Sequence, residues 1–170
     1  MSFLDELNKL SQNRRNAAGF PAELSPEERE AIEQQAAEDF DELINRLIEY
    51  CKQRCVENAG VRRFAKITST EFLYCFDSGK TDAVGEGWEE WWSRVKDRVC
   101  CYVEHRDYYG FSRDDRWHVR KAVKSYFEEE GLTVSFGERK WEIVRAGGGR
   151  YGEPEKWGEI YELTIFLTWQ

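Results

Sequence analysis

The sequence predicts an α+β fold, with a long N-terminal helix plus two further helices packed on a small antiparallel or mixed sheet and a C-terminal three-strand meander. Three observations carry that expectation. Behind Ser25, apolar residues recur at steps of three and four over about 30 positions, the period of an amphipathic helix. Near the C-terminus, Tyr161, Leu163, Ile165, Leu167 and Trp169 alternate with Glu162, Thr164, Phe166 and Thr168, the period of a strand. The order of elements is helices, a strand, two helices and then strands. Strands that follow one another usually pair, which favours an antiparallel or mixed sheet with helices on one face.

Taken in order, Phe3, Leu4, Leu7 and Leu10 have helical spacing and suggest a short amphipathic helix. Residues 16–24 contain Gly19 and Pro21 and read as a linker. The chain therefore divides into residues 1–24, a helix and linker, and residues 25–170, a single α+β domain. Ser25 is a good N-cap, Pro26 suits the first helical position, and Glu28 completes a capping box. Ile32, Ala36, Phe40, Leu43, Ile44, Leu47, Ile48, Cys51 and Cys55 then form one apolar stripe, and Gly60 supplies a stop. A helix of about 30 residues is roughly 45 Å long, more than a small domain needs. Part of it is expected to project or to meet a partner.

Residues 63–77 read as one bulged strand or two short ones. Ala65, Ile67 and Ser69 alternate, and Phe72, Tyr74 and Phe76 alternate on the shifted phase. Asp77, Ser78, Gly79 and Lys80 make a turn. Within residues 85–103, Trp88, Trp91, Trp92, Val95 and Val99 have helical spacing. Ser112 caps a further helix, with Asp115 at the third position and Val119, Ala122, Val123, Tyr126 and Phe127 as its apolar face; Gly131 ends it. Leu132, Val134 and Phe136 alternate, Gly137 and Glu138 turn the chain, and Trp141 and Ile143 alternate again. Residues 146–158 form a Gly-rich loop before the final strand.

A chain of 170 residues buries about 70% of the surface its unfolded form exposes, and seven Trp, eight Tyr and ten Phe suffice for a core. Asp5 and Glu6 stand where a secretory leader would be basic and then apolar, and no run approaches the ~20 apolar residues of a spanning helix. A cytoplasmic protein is expected. The cysteines, Cys51, Cys55, Cys75, Cys100 and Cys101, are odd in number and lie mostly in helical segments, which argues for reduced thiols. They lack the paired knuckles of a zinc site, so neither metal nor cofactor is expected.

The net charge of −8 is unevenly placed. Residues 23–49 hold ten acids against Arg29 and Arg46. Such a balance disfavours direct nucleic-acid binding and suits a basic protein partner. Glu38, Asp41 and Glu42, on or bordering the side of the helix away from Leu43, Leu47 and Ile48, are the candidate partner-binding residues. Arg113, Arg116, Arg120 and Lys124 form a second candidate, a basic stripe that could grip phosphates. His105 and His118 pair with no recognisable cysteine signature, and Gly147, Gly148 and Gly149 lack the ending and the strand–helix setting of a phosphate loop. No catalytic residue stands out. The functional expectation is a small interaction protein, an accessory, regulator or inhibitor, docking through its acidic helix face, with self-association a further option. Its rivals are an enzyme acting on a phosphorylated substrate through the basic stripe and a structural subunit of a larger assembly.

Overall fold

A computed structural model describes residues 24–79, 87–99, 109–145 and 155–170. The proposed helix at residues 3–10, its linker up to Glu23, and Cys100, Cys101, His105 and the glycines at 147–149 lie outside the described residues.

Helix α1 (Pro26–Asn58) begins as its sequence dictates. The Glu28 amide donates to Ser25 Oγ at 3.2 Å, and the Ser25 amide donates to Glu28 Oε2 at 2.8 Å. Two of the amides that a helix start leaves unpaired are thereby satisfied. The helix ends at Asn58, with the Ala59 amide bonded to the Cys55 carbonyl at 2.9 Å. Strand β1 (Phe64–Thr68) follows after a short turn.

Next comes the largest departure from the sequence reading. Strand β1 does not continue or re-form; residues Ser69–Asp77 are helix α2. Thr68 is its N-cap, with reciprocal bonds to Glu71 of 3.0 and 3.1 Å. The alternation of Phe72, Tyr74 and Phe76 was misleading. Phe72, Leu73 and Phe76 are buried on one helical face and Tyr74 is exposed, which is the 3.6-residue period rather than the two-residue one. Gly79, at φ 70°, lies just beyond the end of this helix.

Helix α3 (Trp88–Val99) carries an indole cluster. Phe76 lies 4.8 Å from Trp91 and 5.3 Å from Trp92 between ring centroids. Helix α4 (Arg113–Glu129) is capped by Ser112 Oγ, which accepts from the Asp115 amide at 3.2 Å. It closes with Gly131 at φ 86° and a bond from the Leu132 amide to the Phe127 carbonyl of 2.9 Å, the pairing of a Schellman end.

Strands β2 (Thr133–Arg145) and β3 (Glu155–Thr168) form one long antiparallel pair. The C-terminal meander is thus corrected to two strands. No turn occurs at Gly137 and Glu138, which pair in mid-strand with Thr164 and Leu163. A glycine there is accommodated beside Phe166, whose ring stands 3.6 Å from where a Cβ would be. Residues 155–158 belong to β3 rather than to the Gly-rich loop. The third strand is β1, giving the order β1-β3-β2, antiparallel throughout.

The register sets which face is covered. Ala65 lies opposite Leu167 and Ile67 opposite Ile165, while Val134 and Phe136 meet the same two residues from the other side. These side chains join Leu43, Leu47, Phe72, Trp91, Val119 and Val123 of the four helices in one core. On the opposite face Phe64, Lys66, Ser135 and Phe166 are exposed. The fold is therefore α+β, with its helices layered on one side of a three-strand antiparallel sheet. Among the described residues, no helix is long and apolar enough to cross a membrane.

A buried hydroxyl ties the layers. Ser69 Oγ donates to the Tyr109 carbonyl at 3.0 Å and accepts from the Leu163 amide at 2.9 Å. Phe111 bridges Tyr161 through two backbone bonds of 2.8 and 2.9 Å. Between these contacts sits Gly110, where any Cβ would overlap the Tyr161 carbonyl.

Candidate functional site

The basic stripe of α4 faces the edge of the sheet. Arg116 donates to Glu138 Oε2 at 2.6 Å and stacks 3.8 Å over the Tyr161 ring. Arg120 donates to Glu138 Oε1 at 2.9 Å and lies 5.1 Å over Phe136. One carboxylate thus holds two guanidiniums, and the arrangement fastens α4 to β2. An incoming phosphate would have to displace Glu138 from both. Lys124 stands 3.9 Å from Glu128. Arg113 is exposed and makes no ion pair with a described residue. The role of Glu138 was missing from the sequence reading. The signal was available, because Glu138 continues the alternation of Val134 and Phe136 and so points to the helix-covered face.

The three acidic candidates do not share one setting. Glu38 is exposed and accepts from Gln34 at 3.4 Å. Asp41 is exposed and makes no ion pair with a described residue. Glu42 is half-buried and held by Arg46 at 2.6 Å and Arg94 at 3.7 Å. Beside them Asp39 is buried, accepting from Arg94 Nε at 3.0 Å and Gln35 at 3.1 Å, while its backbone carbonyl takes the Trp91 indole N–H at 3.2 Å. Asp39 and Glu42 therefore bind α3 to α1. The acids free to meet a partner lie toward the helix start: Glu27, Glu30 and Glu33 are exposed and unpaired among the described residues.

Between α1 and α4 runs an apolar groove of about 710 Å³. Ala36, Ala37, Phe40 and Ile44 line one wall, and His118 and Ala122 the other. Asp41, Asp115, Lys121 and Ser125 line it as well. Phe40 meets the edge of His118 at 5.9 Å between centroids. No described cysteine lines the groove, so His118 has no thiol partner there. The sequence placed Ala36, Phe40 and Ile44 in one stripe and Ala122 in another. It could not say where the two stripes leave a gap, because small residues on both helices create it.

Cys51 is fully buried, and Cys55 and Cys75 are half-buried; all three are free thiols. Burial pushes the Cys51 thiol well above its ordinary pKa, and it raises Cys55 too. Both are therefore poor nucleophiles at neutral pH. Among the described residues no group of three His, Cys, Asp or Glu side chains is placed to hold a metal ion.

Comparison with protein-family models, curated proteins and solved structures finds no match to this chain.

Proposed function

We propose that this protein is a non-enzymatic interaction module of the cytoplasm, docking a basic protein through the acidic first turns of α1. One observation carries the reading. From Pro26 to Glu38, about 13 residues or roughly 20 Å of helix, no side chain of α1 is fully buried, and Glu27, Glu30, Glu33 and Glu38 are exposed. That stretch holds Glu27, Glu30, Glu33 and Glu38, none of them in an ion pair with a described residue. Unpaired charge on an exposed rod steers a partner of opposite sign and repels nucleic acid. Two features weigh against the enzyme reading. Arg116 and Arg120 of the basic stripe are occupied by Glu138, and the described thiols with raised pKa are poor nucleophiles.

The test is a charge reversal that leaves the core alone. Glu30, Glu33 and Glu38 are changed to Lys together, and capture of native partners is compared with wild type at low and high salt. Capture should fall steeply as the Debye length shrinks from ~10 Å at 0.1 M to ~3 Å at 1 M. The triple variant should fold normally and lose the same partners. A folded variant that retains every partner at wild-type strength refutes the reading.

A further inference from the structure

Given the docking of a basic protein inferred above, on which this rests, we propose that the groove between α1 and α4 receives one amphipathic, basic helix of that protein. The walls decide the form of the occupant. Both are helices whose backbone amides and carbonyls are spent on their own turns, so no extended segment can add itself as a strand. What the walls offer is side chains at helical steps: Ala36, Phe40 and Ile44 on α1, and His118, Ala122 and Ser125 on α4. An incoming helix fits its ridges between such rows when its own apolar residues recur at i, i+3 or i+4, and i+7. From Ala36 to Ile44 is about 12 Å of helix, room for those anchors. Ala36, Ala37, Ala122 and Ser125 are small, and packed helices come closer when the side chains between them are small.

Charge selects a basic helix. Asp41 and Asp115 line the groove, and neither makes an ion pair with a described residue. From Ala37 the same line of α1 continues outward through Glu33 and Glu30, at steps of four and three, both exposed and equally unpaired among the described residues. Against these four acids stand two cations, Lys121 in the groove and Arg29 on α1. A helix with aliphatic side chains on one face and Lys or Arg beside them answers both the apolar floor and the acids. The apolar contact supplies the grip, and the acids supply the approach and the choice of sign. A second copy of this chain does not meet that description among its described helices. The one with a basic stripe, α4, already buries Val119, Val123 and Phe127 in its own core.

The probe is a synthetic peptide of about 18 residues, five helical turns, with Leu along one face and Lys elsewhere. Its control has the same composition with the face scrambled, and both are titrated onto the full chain at low salt. The patterned peptide should bind at least about tenfold tighter than the scrambled one. It alone should shift the ring resonances of His118 and the methyl of Ala122, which line the groove. Ala37 is exposed, so Ala37→Gln fills the groove without changing charge or touching the core. That variant should remove most of the difference between the peptides and leave the scrambled one's affinity as it was. The patterned peptide with Glu in place of Lys should not bind, and equal binding by it overturns the proposal. The failures are distinct. If both Lys peptides bind equally, weaken alike with salt and leave His118 unmoved, the acidic surface docks basic chains and the groove proposal falls alone. If neither binds at low salt, the docking reading falls and takes this one with it. A preference that survives Ala37→Gln places the helix elsewhere and overturns the proposal. His118 shifts that follow protein dilution without peptide also overturn it, assigning the groove to a second copy.

Discussion

The two ends of α1 are one continuous helix under two regimes. From Asp39 onward Leu43, Ile44, Leu47, Ile48, Tyr50 and Cys51 are buried against the sheet and the other helices. Before Asp39 nothing is fully buried: Ile32, Gln35 and Ala36 are half-buried, and the first turn rests on its capping box. Isolated helices of such length are marginal in water, so the outer turns persist because the inner ones have already met the cost of nucleation. The comparison teaches that regular structure and stability are separable here. The inner half holds the fold together, while the outer half is available for contact.

The largest expected difference is a pair of truncations. Leu47→Ala, in the inner half, should cost about 2–5 kcal/mol in chemical denaturation. Ile32→Ala, in the outer half, should cost well under ~1 kcal/mol, because it is only half-buried and Ala is the better helix former. Equal losses would mean that the outer turns are packed after all. A smaller effect is expected where the regimes meet. Asp39→Ala removes the anchor for Arg94 and Gln35 and should cost about 1–3 kcal/mol, read from the same denaturation curve.

The smallest effect belongs to a held carboxylate and is read by pH. Asp77 is kept below its usual pKa by Lys96, whose Nζ donates to it at 2.5 Å, and by the Tyr109 hydroxyl at 2.7 Å. A carboxyl with a depressed folded-state pKa binds its proton more readily when unfolded. Its contribution is full above the unfolded value of ~3.9 and is lost as pH falls toward the lower folded value. Lys96 is exposed, so the stake is about 1 kcal/mol or less. Asp77→Asn should therefore flatten the acid limb of the stability curve slightly.

The long helix, its capping box and the inward set of β3 were legible because each is a local pattern repeated many times. Residues 69–77 were not, because Phe72, Tyr74 and Phe76 satisfy both periods over so short a span. The Thr68 to Glu71 box was the discriminating signal, as Ser25 to Glu28 had been for α1. The strand through Gly137 was hidden by a residue that usually marks turns, since only its partner Thr164 shows that the ladder continues. Of the candidate sites, the charges could be read and their pairings could not. Arg116 and Arg120 meet Glu138, and Glu42 meets Arg94, across sequence gaps that no local pattern spans.

Strand order also governs how the protein comes to be folded. The central strand is the last of the three in sequence, and its partner β1 lies about a hundred residues earlier, with Phe64 opposite Thr168. Joining them closes a long loop before the pairing yields any return, which slows the search. As the chain emerges from the ribosome, Ala65, Ile67 and the buried side of α1 must wait, exposed, for β3 to arrive. Helices will form early and the sheet late, and the interval between them is when this protein is most open to aggregation and to chaperones.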